Sequence, residues 1–314
     1  MTNASFRHLG SLWWPTCGIA LAALVSTEDA HADAPEKVIS TASEVSESKE
    51  TNPYDVDLFM PTGKIPSSII LYQYEVCPFC CKVKAFLDYH NIPYRTVEVN
   101  PLSKAEIKWS EYKKVPIILL DGSVQMNNSS SIISQLASDV ESVASSKKTR
   151  KKNWLPLKPQ STNETDITAW RRWVDEKFVR AITVNIYRNA KESFQTFDYI
   201  TEHGNFSWPQ RQAARIVGAT MMWGLSSRLK KKYDIHGDVR ESLYQLAEEW
   251  VAGMGDRPFM GHGDQPSLAD LEAFGVMRSI VGTDTFMDLQ HNTSIGPWYE
   301  RMMKHVGDSS RIPG

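Results

Sequence analysis

Apolar positions along the chain change period near the middle. Between residues 68 and 138 they come in short runs. Ser68–Tyr74 (SIILYQY) is rich in β-branched and aromatic residues, as a buried strand requires. Pro78–His90 follows, with Val83, Phe86 and Leu87 on one face at helical spacing. Tyr94–Val99 reads as a second strand and Lys104–Trp109 as a short helix. Val115–Leu120 (VPIILL) reads as a continuous apolar strand, Asp121-Gly122 as a hairpin turn, and Ser129–Ala137 as a closing helix. This β-α-β, then β-β-α order predicts a small α/β domain over residues 61–138.

From Asp166 onward the period is helical throughout. Ile167, Trp170, Val174, Phe178 and Ile182 form one stripe; Leu243, Leu246, Trp250 and Met254 form another. Leu271, Phe274, Met277 and Val281 form a third. Six of the ten tryptophans fall in this half, where core packing is their expected use. Residues 166–314 are therefore predicted to be all-α. Residues 139–165 hold Lys147, Lys148, Arg150, Lys151, Lys152 and two prolines. Such a cluster can bind acidic lipid, but it reads as a solvated linker.

Residues 1–60 do not read as folded. An apolar run, Leu12–Val25, is interrupted by Pro15, and a Ser/Thr/Glu/Ala-rich stretch too polar for a core follows it. Three readings stay open. The absence of acids before Glu28 fits a mitochondrial presequence. The apolar run with Ala30-His31-Ala32 fits a secretory signal. Trp13 and Trp14 beside that run fit a membrane anchor. The expected location is mitochondrial or membrane-associated, with a secretory-pathway membrane as the alternative.

Composition narrows the function. The chain has 314 residues, enough for about two domains, and a net charge of −2. A nucleic-acid binder relying on phosphate neutralisation would show a basic excess, so none is expected. Four cysteines in a chain this long make no disulfide scaffold. Three of them stand together in Cys77-Pro78-Phe79-Cys80-Cys81, directly after the first strand.

A thiol is a nucleophile as thiolate, and an ordinary cysteine with a pKa of about 8.5 is only a few per cent ionised at neutral pH. At a helix start, unpaired backbone N–H groups and the macrodipole favour the anion. Pro78 suits that first turn, where its missing N–H costs nothing. Cys77 is thus the expected exposed nucleophile, and Cys80, on the same helical face, can resolve a mixed disulfide. Cys81 can also approach Cys77, though packing is its expected role. A zinc site needs two further ligands, and Cys17 and the scattered histidines offer no paired spacing, so no metal is expected. A Val115-Pro116 step in cis would present the Val115 backbone to an extended peptide ligand.

A strand, then C-P-F-C, then V-P at a strand start, then N-S-S-S-I-I resembles the glutaredoxin-like half of the glutathione-transferase superfamily. LYQYEVCPFCCKVKAFLDYHNIPY, VEVNPLSKAEIKWSEYKKVPI, FQTFDYI, VRESLYQLAEEWV, DRPFMGHGDQPSLADLEAFGV and IGPWYERM resemble the membrane-associated prostaglandin E synthase 2 family, from about Ile69 to Met303. The resemblance implies an α/β thioredoxin-like domain followed by an all-α transferase-like domain. It implies isomerisation of prostaglandin H2 to prostaglandin E2, glutathione as cofactor, haem in some members, and a homodimer. Cys77 would be the reactive thiol, Tyr74 its hydroxyl neighbour and Phe79 a pocket wall. Val115 and Pro116 would line the glutathione site, and Asn128 and Ser129 would hold its γ-glutamyl end.

Three departures stand out, one of them Cys81, an extra thiol that could divert the dithiol chemistry. Relatives carry a carboxylate where Asn128 stands, and often a basic residue at Glu75, whose charge would oppose a thiolate at Cys77. Asn128 and Glu75 motivate one alternative, a non-catalytic module binding haem, glutathione or a partner; a glutaredoxin-like thiol transferase acting on disulfides is a close neighbour of the isomerase reading. Ser267-Leu268-Ala269-Asp270 reads as a capping box, which makes Asp270 structural.

Overall fold

The computed structural model describes residues 52–101, 103–146, 164–197 and 208–313. The targeting motifs, the basic cluster at residues 147–152 and, apart from Phe197, the FDYI end of FQTFDYI lie outside the described residues.

The sheet has four strands. β1 (Ile69–Gln73) pairs in parallel with β2 (Arg95–Glu98) and antiparallel with β3 (Ile117–Leu120), and β4 (Val124–Asn127) closes the order β2-β1-β3-β4. A parallel pair needs a crossover, supplied by α1 (Pro78–Tyr89). Asp121 and Gly122 adopt φ of 48° and 73°, the left-handed pair of a tight hairpin turn. The strand after Val115-Pro116 starts at Ile117, since a proline cannot donate to the ladder.

α2 (Ser129–Ser146) follows β4 and runs past the expected end at Ala137. Its apolar stripe continues to Val140, and the intervening Asp139 is buried because its carboxylate accepts from the Thr62 N–H at 2.6 Å and hydroxyl at 2.8 Å. Residues 139–146 therefore belong to this helix and not to the linker.

The fold also begins earlier than expected. Tyr54 and Phe59 are buried, and the carbonyls of Pro53 and Phe59 accept from Ser134 Oγ and Ser138 Oγ of α2 at 2.7 and 2.9 Å. Residues 52–60 thus pack as part of the body, not as tail.

The helical half comprises α3 (Glu164–Trp173), α4 (Val179–Ile186), α5 (Ala190–Phe197), α6 (Trp208–Lys232) and α7 (Val239–Met254), then α8 (Leu268–Arg278), α9 (Asp284–Asn292) and α10 (Gly296–Val306). A wide π turn, Val174–Phe178, joins α3 to α4. The stripe Trp170, Val174, Phe178, Ile182 explains it. Strict four-residue spacing overshoots an α-helical turn by about 40° per step, and the wide turn absorbs the drift. Trp170, Trp173, Trp250 and Trp298 form a chain of ring contacts at 5.2–5.8 Å, the core packing expected of them. Val281 departs from its stripe: α8 ends at Arg278, and Val281 is exposed. Asp270 completes the capping box with Ser267 and accepts from Trp298 Nε1 at 2.9 Å, as a structural residue should.

Buried charges join the two halves. Lys82 of α1 lies 2.6 Å from Asp175 and 3.0 Å from Glu272, and Arg171 Nε lies 2.7 Å from Glu272. All four side chains are at most 3% exposed. Ser130 Oγ donates to Asp175 at 2.8 Å, and Arg171 donates to the Tyr54 carbonyl. Two cations and two anions cancel, which is the condition for keeping charge in a core.

Candidate active site around Cys77

Cys77 is the N-cap of α1, with Pro78 behind it in the first turn. Its N–H donates to the Tyr74 carbonyl at 3.0 Å, and its carbonyl accepts from the Cys81 N–H at 2.9 Å. The residue is half-buried where the sequence suggests an exposed one, and Cys80 is fully buried. The Cys77 thiol is held below its ordinary range. The Cys80 thiol donating to it is the largest cause; burial opposes the shift, and the N–H groups of Cys80 and Phe79 and the Lys84 ammonium reinforce it. Burial and the hydrogen bond to Cys77 push Cys80 well up. This asymmetry separates a nucleophile from a protonated partner.

Cys80→Ala removes the donor and should move the pH midpoint of Cys77 alkylation upward. Cys80→Ser keeps an O–H donor and should restore most of the difference. Iodoacetamide rates followed from pH 5 to 9 would show it, and identical profiles for both variants and the parent would refute the hydrogen bond.

Tyr74, Cys80, Val99, Ile107, Val115 and Ile117 form one buried cluster, with Cys77 and Tyr112 packed against it. Tyr74, Cys77, Cys80 and Val115 are therefore brought together, and the Val115-Pro116 bond is cis. Tyr74 is raised above its ordinary range by burial and by the two thiols. Tyr112, absent from the sequence reading, is pushed up to about 12 for the same reasons. Both hydroxyls stay protonated at neutral pH and can donate. The only sequence signal for Tyr112 is an aromatic residue in the lysine-rich loop before Val115.

Phe79, Asn128 and Ser129 lie outside that cluster. Lys82 Nζ is 5.9 Å from the centre of the Phe79 ring and 3.0 Å from Ser130 Oγ. Asn128 has φ 64°, and its Oδ1 accepts from the N–H groups of Ser130 and Ser131 at 2.9 and 3.3 Å. The side-chain oxygen is thus spent on capping α2, and its amide NH2 is the group left to meet a ligand. Such a donor suits a carboxylate, where an acid at this position would suit an ammonium. Ser129 is buried at the start of the same helix.

Glu75 does not stand as a bare charge. Lys84 Nζ lies 2.7 Å from its carboxylate and 2.9 Å from its carbonyl oxygen. Burial raises its pKa, yet Lys84 and Arg311 more than offset this and leave it below the ordinary carboxylate range. Glu98 accepts from the Glu75 N–H at 2.9 Å and is pushed up by burial to about 7. Among the described residues no three His, Cys, Asp or Glu are grouped to hold a metal ion.

The family profile described as Glutathione S-transferase, N-terminal domain, matches residues 71–143. Prostaglandin E synthase 2 of Danio rerio is 40% identical over 286 residues, covering 82% of this chain and 74% of that relative. The chain belongs to the prostaglandin E synthase 2 family. Prostaglandin E synthase 2 of Mus musculus is 39% identical over 276 residues, covering 78% of this chain and 72% of that protein. Glutaredoxin 1 of Rickettsia felis is 42% identical over 59 residues, 17% of this chain and 58% of its own length. The prostaglandin E synthase 2 family thus shares with this chain both the sheet domain carrying Cys77 and the helical body. Among its described residues no helix is long and apolar enough to cross a membrane.

Proposed function

We propose that this member of the prostaglandin E synthase 2 family isomerises prostaglandin H2 to prostaglandin E2 at Cys77. The observation that carries the reading is a thiol at a helix N-terminus, held toward the thiolate by Cys80, packed with Tyr74 and Tyr112 whose hydroxyls stay protonated.

The isomerisation is redox-neutral overall. The Cys77 thiolate attacks one endoperoxide oxygen; an S–O bond forms, the O–O bond breaks, and the other oxygen leaves as an alkoxide. A tyrosine hydroxyl gives that alkoxide its proton, and the hydroxyl of the product results. The proton on the ring carbon bearing the S–O oxygen then departs, its electron pair forms the ketone, and the S–O bond breaks to return the thiolate. The proton restores the tyrosine.

Glutathione supplies, when bound, a second thiol able to return an oxidised Cys77 to its working state. Val115 and Pro116, the Asn128 amide, Ser129 and Phe79 are the residues to hold it. For haem, the Cys77 sulfur would be the donor to hold it, and that is the same atom the isomerisation uses. A second reading, thiol transfer to disulfides, is favoured by the buried Cys80 under Cys77 and by the glutaredoxin match.

The test follows prostaglandin H2 turnover with glutathione, comparing the full chain with Cys77→Ser and Cys80→Ser. Prostaglandin E2 formation should fall at least a hundredfold in Cys77→Ser and survive in Cys80→Ser. Product no faster than spontaneous decay in the parent chain would sink the isomerase. Disulfide reduction abolished in Cys80→Ser would identify the transferase.

A further inference from the structure

Glu75, two residues before the nucleophile, is gripped through every polar group it has. Its N–H donates to Glu98 Oε1 at 2.9 Å. Its carbonyl oxygen accepts from Lys84 Nζ at 2.9 Å and from Cys81 Sγ at 3.3 Å. Its carboxylate accepts from Lys84 Nζ at 2.7 Å, Gln73 Nε2 at 2.6 Å and Arg311 Nη1 at 3.2 Å. Five of these six contacts come from β1, β2 and α1. The sixth crosses 236 positions of sequence.

Arg311 arrives there because the segment after α10 is strapped to the sheet edge. Arg311 bridges in parallel to Tyr94, and the Ile312 N–H donates to the Tyr94 carbonyl at 2.8 Å. One residue earlier, the Ser310 N–H donates to Asp88 Oδ1 at 2.9 Å, and Ser309 Oγ donates to the same oxygen at 3.1 Å. Asp88 is fully buried and is itself held by Arg278 of α8 at 2.8 Å. Register is therefore fixed on both sides of Arg311.

We propose that Arg311 is a positioning residue for the Cys77 chemistry: with Lys84 it clamps the Glu75 carboxylate, so that the C-terminal segment completes the site from outside the sheet domain. A carboxylate close to a thiol opposes its ionisation, and two cations on that carboxylate reverse the sign of the local charge. The same grip fixes the turn whose Tyr74 carbonyl holds the Cys77 N–H. Arg311 is partly exposed, so its effect is screened by salt and is largest at low ionic strength.

This inference rests on Cys77 being the reactive thiol, and the experiment separates the two. Alkylation of Cys77 in the full chain is followed by peptide mass between pH 5 and 9 at low salt. Arg311→Ala should raise the midpoint and slow alkylation at pH 6 by roughly two- to fivefold, and Arg311→Lys should retain most of the parent rate. In a Glu75→Gln background the Arg311→Ala effect should vanish, because no charge is left to clamp. A parent-like profile for Arg311→Ala overturns the proposal. So does a shift that persists without the Glu75 charge, since a purely structural strap would give that result. A Cys77 that reacts no faster than an ordinary cysteine in the parent chain would instead remove the reading of the site itself.

Discussion

Lys82→Met will lower the stability of the protein by about 3–5 kcal/mol, the range for stranding buried charge. Methionine preserves the apolar stem and its packing but removes one of two cations from a site holding Asp175 and Glu272. Only Arg171 then remains against two carboxylates. The loss does not measure what the ion pair contributes, since a buried pair barely offsets its own desolvation; it measures the charge left alone. Lys82→Met/Glu272→Gln restores the balance of one cation and one anion, and should recover more than half of the loss. Urea midpoints of the two variants decide the matter. A Lys82→Met stability within about 1 kcal/mol of the parent would mean water reaches the network.

Gly275→Ala should cost about 3 kcal/mol and also slow Cys77 alkylation. A Cβ at Gly275 would stand 2.6 Å from the Cys81 carbonyl oxygen, 2.6 Å from Lys82 Cα and 2.7 Å from Lys82 N. These are backbone atoms of α1, which cannot rotate aside, so α8 must move off α1. The collision falls on the Cys81–Lys82 backbone, next in sequence to Cys80 and at the Lys82 network, so stability and reactivity should drop together. A Gly275→Ala protein with parent urea midpoint and parent alkylation rate would show that the helices yield freely.

The parts legible in the sequence are those whose cause is local. The β-branched run after Ser68 makes β1, Pro78 after Cys77 starts α1, and Asp121-Gly122 makes the hairpin turn. Asp270 is legible as a cap because its partner is three residues away. Lys82 and Lys84 are a different case. On periodicity alone they are solvent-side residues of an amphipathic helix, yet both are buried. The partners of Lys82, Asp175 and Glu272, lie in a half of the chain that no local pattern ties to α1. Glu75 appears as a charge hostile to the thiolate because one of its counter-charges is near the C-terminus. Asn128 appears as a ligand-binding residue lacking its carboxylate, and only the geometry shows its oxygen engaged by α2. Tyr54, Val56 and Phe59 are too diluted by polar neighbours to announce a packed segment.

That N-terminal segment sets a limit on truncation. A shortened chain that keeps these contacts has to retain Pro53. Trimming to residue 61 would take away the Tyr54 carbonyl from Arg171 and the Pro53 and Phe59 carbonyls from α2, leaving donors of a buried network without acceptors. The truncated chain would carry the wound at the joint between its halves, although every residue of the Cys77 site would still be present.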